Sequence, residues 1–144
     1  LNLKKATSSE FDKKGLQIIG LINEWTKDGK KIKGTDKDLG GTMRLGSYDA
    51  KLKENSMIKK IYKKNLIKER HRHRYEVNIA YKEKFEKNGM IFSGLSPDGE
   101  LPEIIELRNH PWFIGVQFHP EFKSRPLAPH PLFSSFIKAS KNHK

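Results

Sequence analysis

The sequence contains no cysteine, and this absence excludes a disulfide framework and any thiolate chemistry carried by the chain itself. No apolar run approaches the ~18 residues that a membrane-spanning helix needs. The first residues, 1–5 (LNLKK), do not have the pattern of a signal peptide, so we expect a soluble cytoplasmic protein without membrane association. The chain does not begin with Met, which suggests a fragment or a processed form.

Acidic residues are also scarce relative to basic ones, with 17 Asp and Glu against 29 Lys and Arg and a formal net charge of +12. Such a charge raises the question of a nucleic-acid partner. Only six of the basic residues are Arg, and the Lys residues are scattered over nearly every segment. Nucleic-acid-binding proteins concentrate their basic residues on one face and use Arg for bidentate contacts. The dispersed charge therefore favours a solvated surface.

The length of 144 residues fits one domain, 1–144, and we find no repeat, low-complexity segment or internal boundary. Periodicity predicts both strands and helices, and hence an α/β protein. The predicted strands are 17–22 (buried), 42–52 (an edge strand after a bend at Gly40 and Gly41), 67–78, the hairpin 90–95 with 104–107, and a central strand from 112 that stops at His119. The predicted helices are 54–64, 80–88 and 131–140, the last with Leu132, Phe133, Phe136 and Ile137 facing inward; 1–16 and 26–38 are predicted as loop or turn.

The segment 115–122 (GVQFHPEF) carries the clearest candidate site. An apolar strand delivers His119 at its end, Pro120 prevents further sheet pairing, and Glu121 follows two residues after the His. An imidazole presented in this way, beside a carboxylate that can fix its tautomer, is typical of a general base with its orienting acid. An ordinary surface His at a polar strand end is the alternative.

The segment 69–78 (ERHRHRYEVN) alternates, so a strand there would place His on one face and Arg on the other. Three interpretations are open: a zinc site through His71 and His73, an RNA-binding stripe of Arg70, Arg72 and Arg74, or a network of Arg, His and Glu that lines an active site and fixes an amino-acid carboxylate. An exposed charged edge strand is the fourth alternative.

Several segments together resemble the glutamine amidotransferase domain of CTP synthases, in the order that family has them. They are 39–46 (LGGTMRLG), 69–78, 103–106 (EIIE), 110–113 (HPWF), 117–122 (QFHPEF) and 130–133 (HPLF). The strings GGTMRLG and RHRHRYE are specific to CTP synthases among class I amidotransferases, whereas HPE is shared by the whole class. The resemblance covers roughly residues 8–140.

The resemblance implies a class I glutaminase fold, an open and mostly parallel sheet with flanking helices, of which this chain is the C-terminal part. It implies that His119 and Glu121 belong to a Cys-His-Glu triad, and that Glu10 and Arg74 bind the ammonium and carboxylate of glutamine. The family's Gly-x-Cys-x-Gly segment precedes the position of Glu10 and is not in this sequence. We therefore expect the nucleophile to lie upstream.

The resemblance also implies partners. Ammonia released from glutamine would pass to an N-terminal synthetase domain that binds ATP and UTP and forms CTP. The resemblance implies no cofactor and no metal for the domain itself, ATP and Mg²⁺ for the parent enzyme, a tetrameric homo-oligomer, and no nucleic-acid or membrane partner.

Overall fold

The computed structural model describes residues 1–21, 24–27, 30–33 and 43–143. That part of the chain contains ten strands: β1 (Ala6–Ser8), β2 (Leu16–Leu21), β3 (Glu24–Lys27), β4 (Lys30–Lys33), β5 (Arg44–Leu52), β6 (Leu66–His73), β7 (Tyr75–Val77), β8 (Met90–Leu95), β9 (Pro102–Leu107) and β10 (Ile114–Val116). Its helices are α1 (Met57–Tyr62), α2 (Lys82–Lys87) and α3 (Pro131–Asn142), and 3₁₀ turns cover Ile79–Tyr81 and Pro120–Lys123. Within these ranges no helix combines the length and apolar character needed to cross a bilayer.

The strands form a five-stranded sheet in the order β10-β9-β8-β5-β6, a three-stranded sheet in the order β1-β2-β7, and the pair β3-β4. The resemblance implied a mostly parallel sheet, but in the described residues only β1 and β2 pair in parallel and every other ladder is antiparallel. For β8 and β9 the short connection 96–101 explains the direction, because a chain that returns directly runs antiparallel to the strand it left.

The hydrophobic core lies where the five-stranded sheet meets α1 and α3. Alternation along β5 and β6 directs one face of each strand into it. The buried members are Ala50, Leu52, Ile58, Ile67, Ile104, Phe118 and Leu132. Each large apolar side chain of this kind stabilises the fold by roughly 1.5–3 kcal/mol.

Helix α1 lies within the predicted helix 54–64 but begins later, at Met57. Ser56 is its N-cap, and its hydroxyl accepts a hydrogen bond from the Lys59 amide. The buried carboxylate of Glu106 accepts two more, from the amides of Met57 and Ile58, each at 2.9 Å. A carboxylate at this position satisfies backbone donors that the helix itself cannot pair.

Other predictions are also confirmed. The alternation predicted that His and Arg lie on opposite faces of this strand, and β6 buries its odd-numbered residues and exposes the even-numbered ones from Leu66 to Arg72. The hairpin of β8 and β9 is present, with Pro102 at the start of its strand. Helix α2 ends before Gly89, whose φ of 93° is a conformation that glycine adopts readily.

Some predicted element types and positions were wrong. The segment 1–16 contains β1, and 26–38 contains parts of the pair β3-β4. Strand 17–22 was correct in kind, but β2 is only half-buried, with Ile19 exposed. Strand β5 is an edge only from Arg44 to Ala50, because its last two residues pair with β8 as well as with β6. The predicted bend at 40–41 lies outside the described residues.

Two further corrections concern the end of the chain. Strand β10 is three residues long and pairs only with β9, so it is an edge strand of the described sheet and not a central one. In α3 only Leu132 is buried, whereas Phe133, Phe136 and Ile137 are 40%, 47% and 64% exposed. Apolar spacing predicted a broad inward face, but the helix packs through a narrower stripe on which Phe136 contacts Trp112 at 5.0 Å between ring centroids.

Candidate active site

The chain that leaves β10 is fixed by one backbone contact and one buried ring before it reaches His119. The amide of Gln117 donates to the Glu103 carbonyl at 3.0 Å, and Phe118 is buried in the core. The amide of His119 then donates to the Arg70 carbonyl of β6 at 2.8 Å. This path carries the chain from β9 to β6, the other edge of the sheet, and leaves little freedom for the backbone of His119.

His119 and Glu121 form a hydrogen-bonded pair. Nδ1 of His119 lies 2.7 Å from Oε1 of Glu121, and since a carboxylate only accepts, Nδ1 is the donor. The hydrogen bond from His119 lowers the pKa of Glu121. The ring of Phe122 stacks on the imidazole at 5.0 Å with an interplanar angle of 16°. The imidazole side chain is 35% exposed, and its Nε2 is the atom left to take a proton from a nucleophile.

Pro120 makes this pair possible. It occupies the first position of the 3₁₀ turn Pro120–Lys123, where a residue without an amide proton is tolerated. The turn closes when the amide of Phe122 donates to the carbonyl of His119 at 3.1 Å. The turn directs the Glu121 carboxylate back to the His119 ring, which is why the His-Pro-Glu string was informative.

Glu10 and Arg74 lie next to strands of the three-stranded sheet. Glu10 is exposed and follows β1, where its amide lies 3.3 Å from the Ser8 hydroxyl. Arg74 is half-buried and is the single residue between β6 and β7. Strand β2 separates β1 from β7, so the two predicted glutamine-binding residues lie at opposite edges of one sheet. Their roles stay predictions.

A second group of functional candidates, missed by the sequence interpretation, surrounds Arg44; we call it the Arg44 cluster. Nη2 of Arg44 lies 2.7 Å from Oε1 of Glu103, and Nη1 lies 3.6 Å from Oε2 of Glu76. Gln117 donates a short hydrogen bond to Oε1 of Glu76. All three charged side chains are almost completely buried. One guanidinium thus joins β5, β7 and β9. Gln117, which contacts the same cluster, lies two residues before His119 in the sequence.

Two carboxylates beside one buried cation cannot both ionise easily. Burial raises the pKa of Glu76 to about 8, and it raises the pKa of Glu103 to about 7, in each case against the opposing effect of Arg44. The coulombic effect of Glu103 raises the pKa of Glu76 further. The Arg44 cluster therefore binds a proton near neutral pH.

A third group connects the 3₁₀ turn Pro120–Lys123 to β6; we call it the Glu69 cluster. Oε1 of Glu69 lies 3.1 Å from the Tyr62 hydroxyl, 3.2 Å from His130 Nε2 and 3.2 Å from Lys123 Nζ. Burial alone would raise the pKa of Glu69, but the hydrogen bond from His130 and the charge of Lys123 lower it overall. Lys123 also donates to the Lys68 carbonyl at 2.7 Å, so the turn is tied to β6 twice.

The histidines of β6 do not have the geometry of a metal site. Nδ1 of His71 lies 2.9 Å from Nε2 of His73, so the rings are hydrogen-bonded to each other and do not point at a shared ion. In the described part of the chain no group of three or more His, Cys, Asp and Glu residues could hold a metal. Arg70 and Arg72 are exposed on the opposite face of the strand, as the alternation predicted.

Comparison with known proteins shows the family of the chain. Residues 15–139 match the family described as glutamine amidotransferase class-I. The chain belongs to this family. It is 90% identical to the CTP synthase of Pelagibacter ubique (strain HTCC1062) over all of its residues, which are 27% of that relative. It is 61% identical to the CTP synthase of Hyphomonas neptunium (strain ATCC 15444), covering 96% of the chain and 26% of the relative.

A solved structure agrees with the family assignment. The glutaminase domain of Trypanosoma brucei CTPS, with bound acivicin, matches this class I amidotransferase with a TM-score of 0.84 at 34% sequence identity. The match covers 99% of this chain and 53% of that one. The chain spans about a quarter of the length of the curated relatives it matches. The class I amidotransferase fold is therefore confirmed, and nothing in these matches supports the RNA-binding interpretation.

Proposed function

We propose that this chain is the base-bearing part of a glutaminase, and that it serves a CTP synthase. The observation that carries the proposal is the His119–Glu121 pair, 2.7 Å apart on a turn fixed to β6, in a chain 90% identical to a CTP synthase. A base held by a carboxylate in this way suits activation of a thiol. The thiol would come from a cysteine outside these residues, because the sequence contains none.

The reaction would proceed by acyl transfer. His119 Nε2 takes the proton of the cysteine thiol, and the thiolate attacks the side-chain amide carbon of glutamine. The C–N bond then breaks, and the leaving nitrogen receives the proton from the imidazolium and departs as ammonia. Water activated by the same imidazole hydrolyses the thioester to glutamate. Glu121 holds Nδ1–H and stabilises the imidazolium in both steps.

Substrate binding would use opposite charges. Arg74 would pair with the α-carboxylate of glutamine, since a guanidinium can donate two parallel hydrogen bonds to it, and Glu10 would pair with the α-ammonium. Glu10 is exposed and Arg74 is half-buried, so both can be approached from outside. The similar Trypanosoma brucei structure is a glutaminase domain, which supports glutamine as the ligand of this site.

In the parent enzyme the ammonia would reach a synthetase domain that uses ATP and Mg²⁺ to aminate UTP to CTP. We expect that enzyme to be cytoplasmic and to assemble as a homo-oligomer, with a tetramer as the specific expectation. The glutaminase part itself would need no cofactor, because its chemistry is proton transfer and acyl transfer by side chains.

The test uses the full-length Pelagibacter ubique relative with this chain in place of its matching region. We expect His119→Ala to reduce glutamine-dependent CTP formation by about 10⁴-fold or more, since both nucleophile activation and leaving-group protonation are lost. CTP formation from added ammonia should be unchanged, because ammonia bypasses the glutaminase. Retained glutamine-dependent activity, or the loss of both activities in a folded enzyme, would contradict the role of His119.

A further inference from the structure

A chain of hydrogen bonds runs through the interior beside β6 and ends on one backbone carbonyl. Nδ1 of His73 lies 3.0 Å from the carbonyl oxygen of Tyr75, and Nε2 of His73 lies 2.9 Å from Nδ1 of His71. Beyond it, Nε2 of His71 faces Oε2 of Glu103 at 3.6 Å. We call His71 and His73 the histidine relay. The side chain of His71 is 1% exposed and that of His73 13%.

The acceptor at the end of the histidine relay fixes every proton in it. A carbonyl can only accept, so His73 Nδ1 carries the proton. In a neutral ring Nε2 of His73 must then accept, and His71 donates to it from Nδ1. Both imidazoles are therefore in the Nδ1–H tautomer, and Nε2 of His71 presents a lone pair toward Glu103.

The surroundings keep both rings neutral. Burial lowers the pKa of His71 to about 3 and that of His73 to about 4, and the positive charge of Arg44 adds to this. The coulombic effect of His119 also lowers both pKa values, whereas the hydrogen bond with the Tyr75 carbonyl raises the pKa of His73. Glu76, 4.0 Å from His73 Nδ1, and Glu103 are the acidic groups that face the pair.

The Tyr75 carbonyl belongs to the short segment that carries Arg74. Strand β6 ends at His73 and β7 begins at Tyr75, so the backbone passes from one sheet to the other at Arg74 alone. On its far side the segment is held by the ladder from Tyr75 to Leu21 and by the contacts of Glu76 within the Arg44 cluster. On the side of β6, the segment is held by the hydrogen bond from Nδ1 of His73 to the Tyr75 carbonyl, which spans Arg74.

We propose that His71 and His73 are positioning residues for Arg74: two neutral imidazoles with ordered protons that hold the Tyr75 carbonyl, and so set the direction in which Arg74 leaves the backbone. This rests on the proposed function, in which Arg74 binds the substrate α-carboxylate. A misplaced guanidinium would bind that carboxylate less well without changing the base at His119. The effect should therefore appear in KM for glutamine more than in kcat.

Two substitutions at one position separate this role from simple packing. In the full-length enzyme carrying this chain, His73→Asn keeps an amide donor near the position of Nδ1, whereas His73→Gln moves the donor toward the position of Nε2. We expect His73→Gln to raise KM for glutamine about tenfold, the effect of one lost hydrogen bond. His73→Asn should stay within about twofold of the parent, and ammonia-dependent activity should be unchanged in both.

The matched control is Arg72→Gln, on the exposed face of the same strand, which should change neither activity. If the Asn and Gln variants at position 73 give the same KM, whether normal or raised, the positioning role is wrong. Arg74→Ala tests the underlying assumption separately: an unchanged KM in that variant would overturn the role of Arg74 in glutamine binding, and not the bonding of the histidines.

The protonation states have a readout that does not involve activity. In ¹⁵N-histidine spectra of the full-length enzyme carrying this chain, assigned with single His→Asn variants, both relay histidines should show the Nδ1–H tautomer. Neither should titrate between about pH 5 and about pH 8, where an ordinary histidine changes charge. Titration near the ordinary value, or an Nε2–H tautomer at either residue, would overturn the proton order on which the proposal depends.

Discussion

His130 and Glu69 share a buried hydrogen bond, 3.2 Å from Nε2 to Oε1, beneath the turn that carries the candidate base. Nδ1 of His130 accepts from the amide of Leu132, so Nε2 carries the proton that Glu69 accepts. One histidine thus caps α3 and also holds a carboxylate of β6. Through Lys123, that carboxylate fixes the last residue of the 3₁₀ turn.

Removing this carboxylate should destabilise the fold strongly. Glu69→Ala leaves the Tyr62 hydroxyl and His130 Nε2 without their shared buried acceptor, and it removes the carboxylate partner of the exposed Lys123 ammonium. We expect the free energy of unfolding to fall by about 3 kcal/mol. Urea unfolding followed by circular dichroism measures it. The control is Glu54→Ala, an exposed partner of Lys59, which should cost less than about 1 kcal/mol. Equal losses in the two variants would contradict the buried network.

Above about pH 6.5, where His71 and His73 are neutral in the unfolded chain as well as in the folded one, the Arg44 cluster predicts that stability falls as the pH rises. The pKa of Glu76 is about 8 in the folded chain and near its ordinary 4.5 when unfolded, so the folded state holds the proton more tightly. Its contribution is complete below the ordinary value and is lost progressively up to about pH 8. The expected loss is on the order of 1–3 kcal/mol, seen as a decreasing melting temperature.

Glu76→Gln should flatten this dependence, because the amide keeps an oxygen for Gln117 and does not ionise. A smaller slope will remain, since the pKa of Glu103 is also raised, to about 7. Ser93→Ala, at a buried residue without an ionisable group, should leave the pH dependence of the melting temperature as it is in the parent. A pH slope in Glu76→Gln identical to that of the parent would show that Glu76 does not hold the proton.

Two glycines of the five-stranded sheet should differ in their tolerance of a methyl group. A Cβ at Gly94 would lie 2.7 Å from two side-chain carbons of Ile104 and 2.9 Å from its Cβ, which cannot move without the backbone. We expect Gly94→Ala to cost about 1–3 kcal/mol by overpacking. Gly115→Ala meets only the outer carbons of Ile105, at 2.9 and 3.2 Å, and should cost less. Chemical denaturation measures both; the opposite ranking would contradict this packing.

Local relationships in the site could be predicted from the sequence. His119 and Glu121 are two residues apart with a proline between them, so the pair needed only a tight turn. The alternation from Glu69 to His73 predicted the two faces of β6, because side-chain direction in a strand has a period of two, but it did not indicate which face is buried. The family resemblance supplied what periodicity could not, namely the class of reaction and the candidate roles of Glu10 and Arg74.

Long-range relationships could not be predicted in this way. Nothing in the alternation around Arg44 indicates that its guanidinium meets Glu103, which lies on a strand that β8 separates from β5. The only signal was a charged residue inside the apolar segment 102–105, where burial demands a partner. The prediction that β10 is a central strand was wrong for a related reason. Apolar residues predict that a strand is buried, but they do not indicate which neighbouring element covers it.

The last prediction concerns Glu121, which acts only through His119. Glu121→Gln keeps the size of the side chain but can turn an NH₂ group toward Nδ1, which would favour the wrong tautomer, and it removes the charge that stabilises the imidazolium. In the full-length enzyme carrying this chain, glutamine-dependent kcat should fall by about 10²-fold or more, with a small change in KM. Activity with ammonia should be retained. Phe122→Leu, which removes only the stacked ring, is the comparison variant and should have a much smaller effect. If the two variants lose equal activity, Glu121 contributes contact area to the histidine and does not orient it.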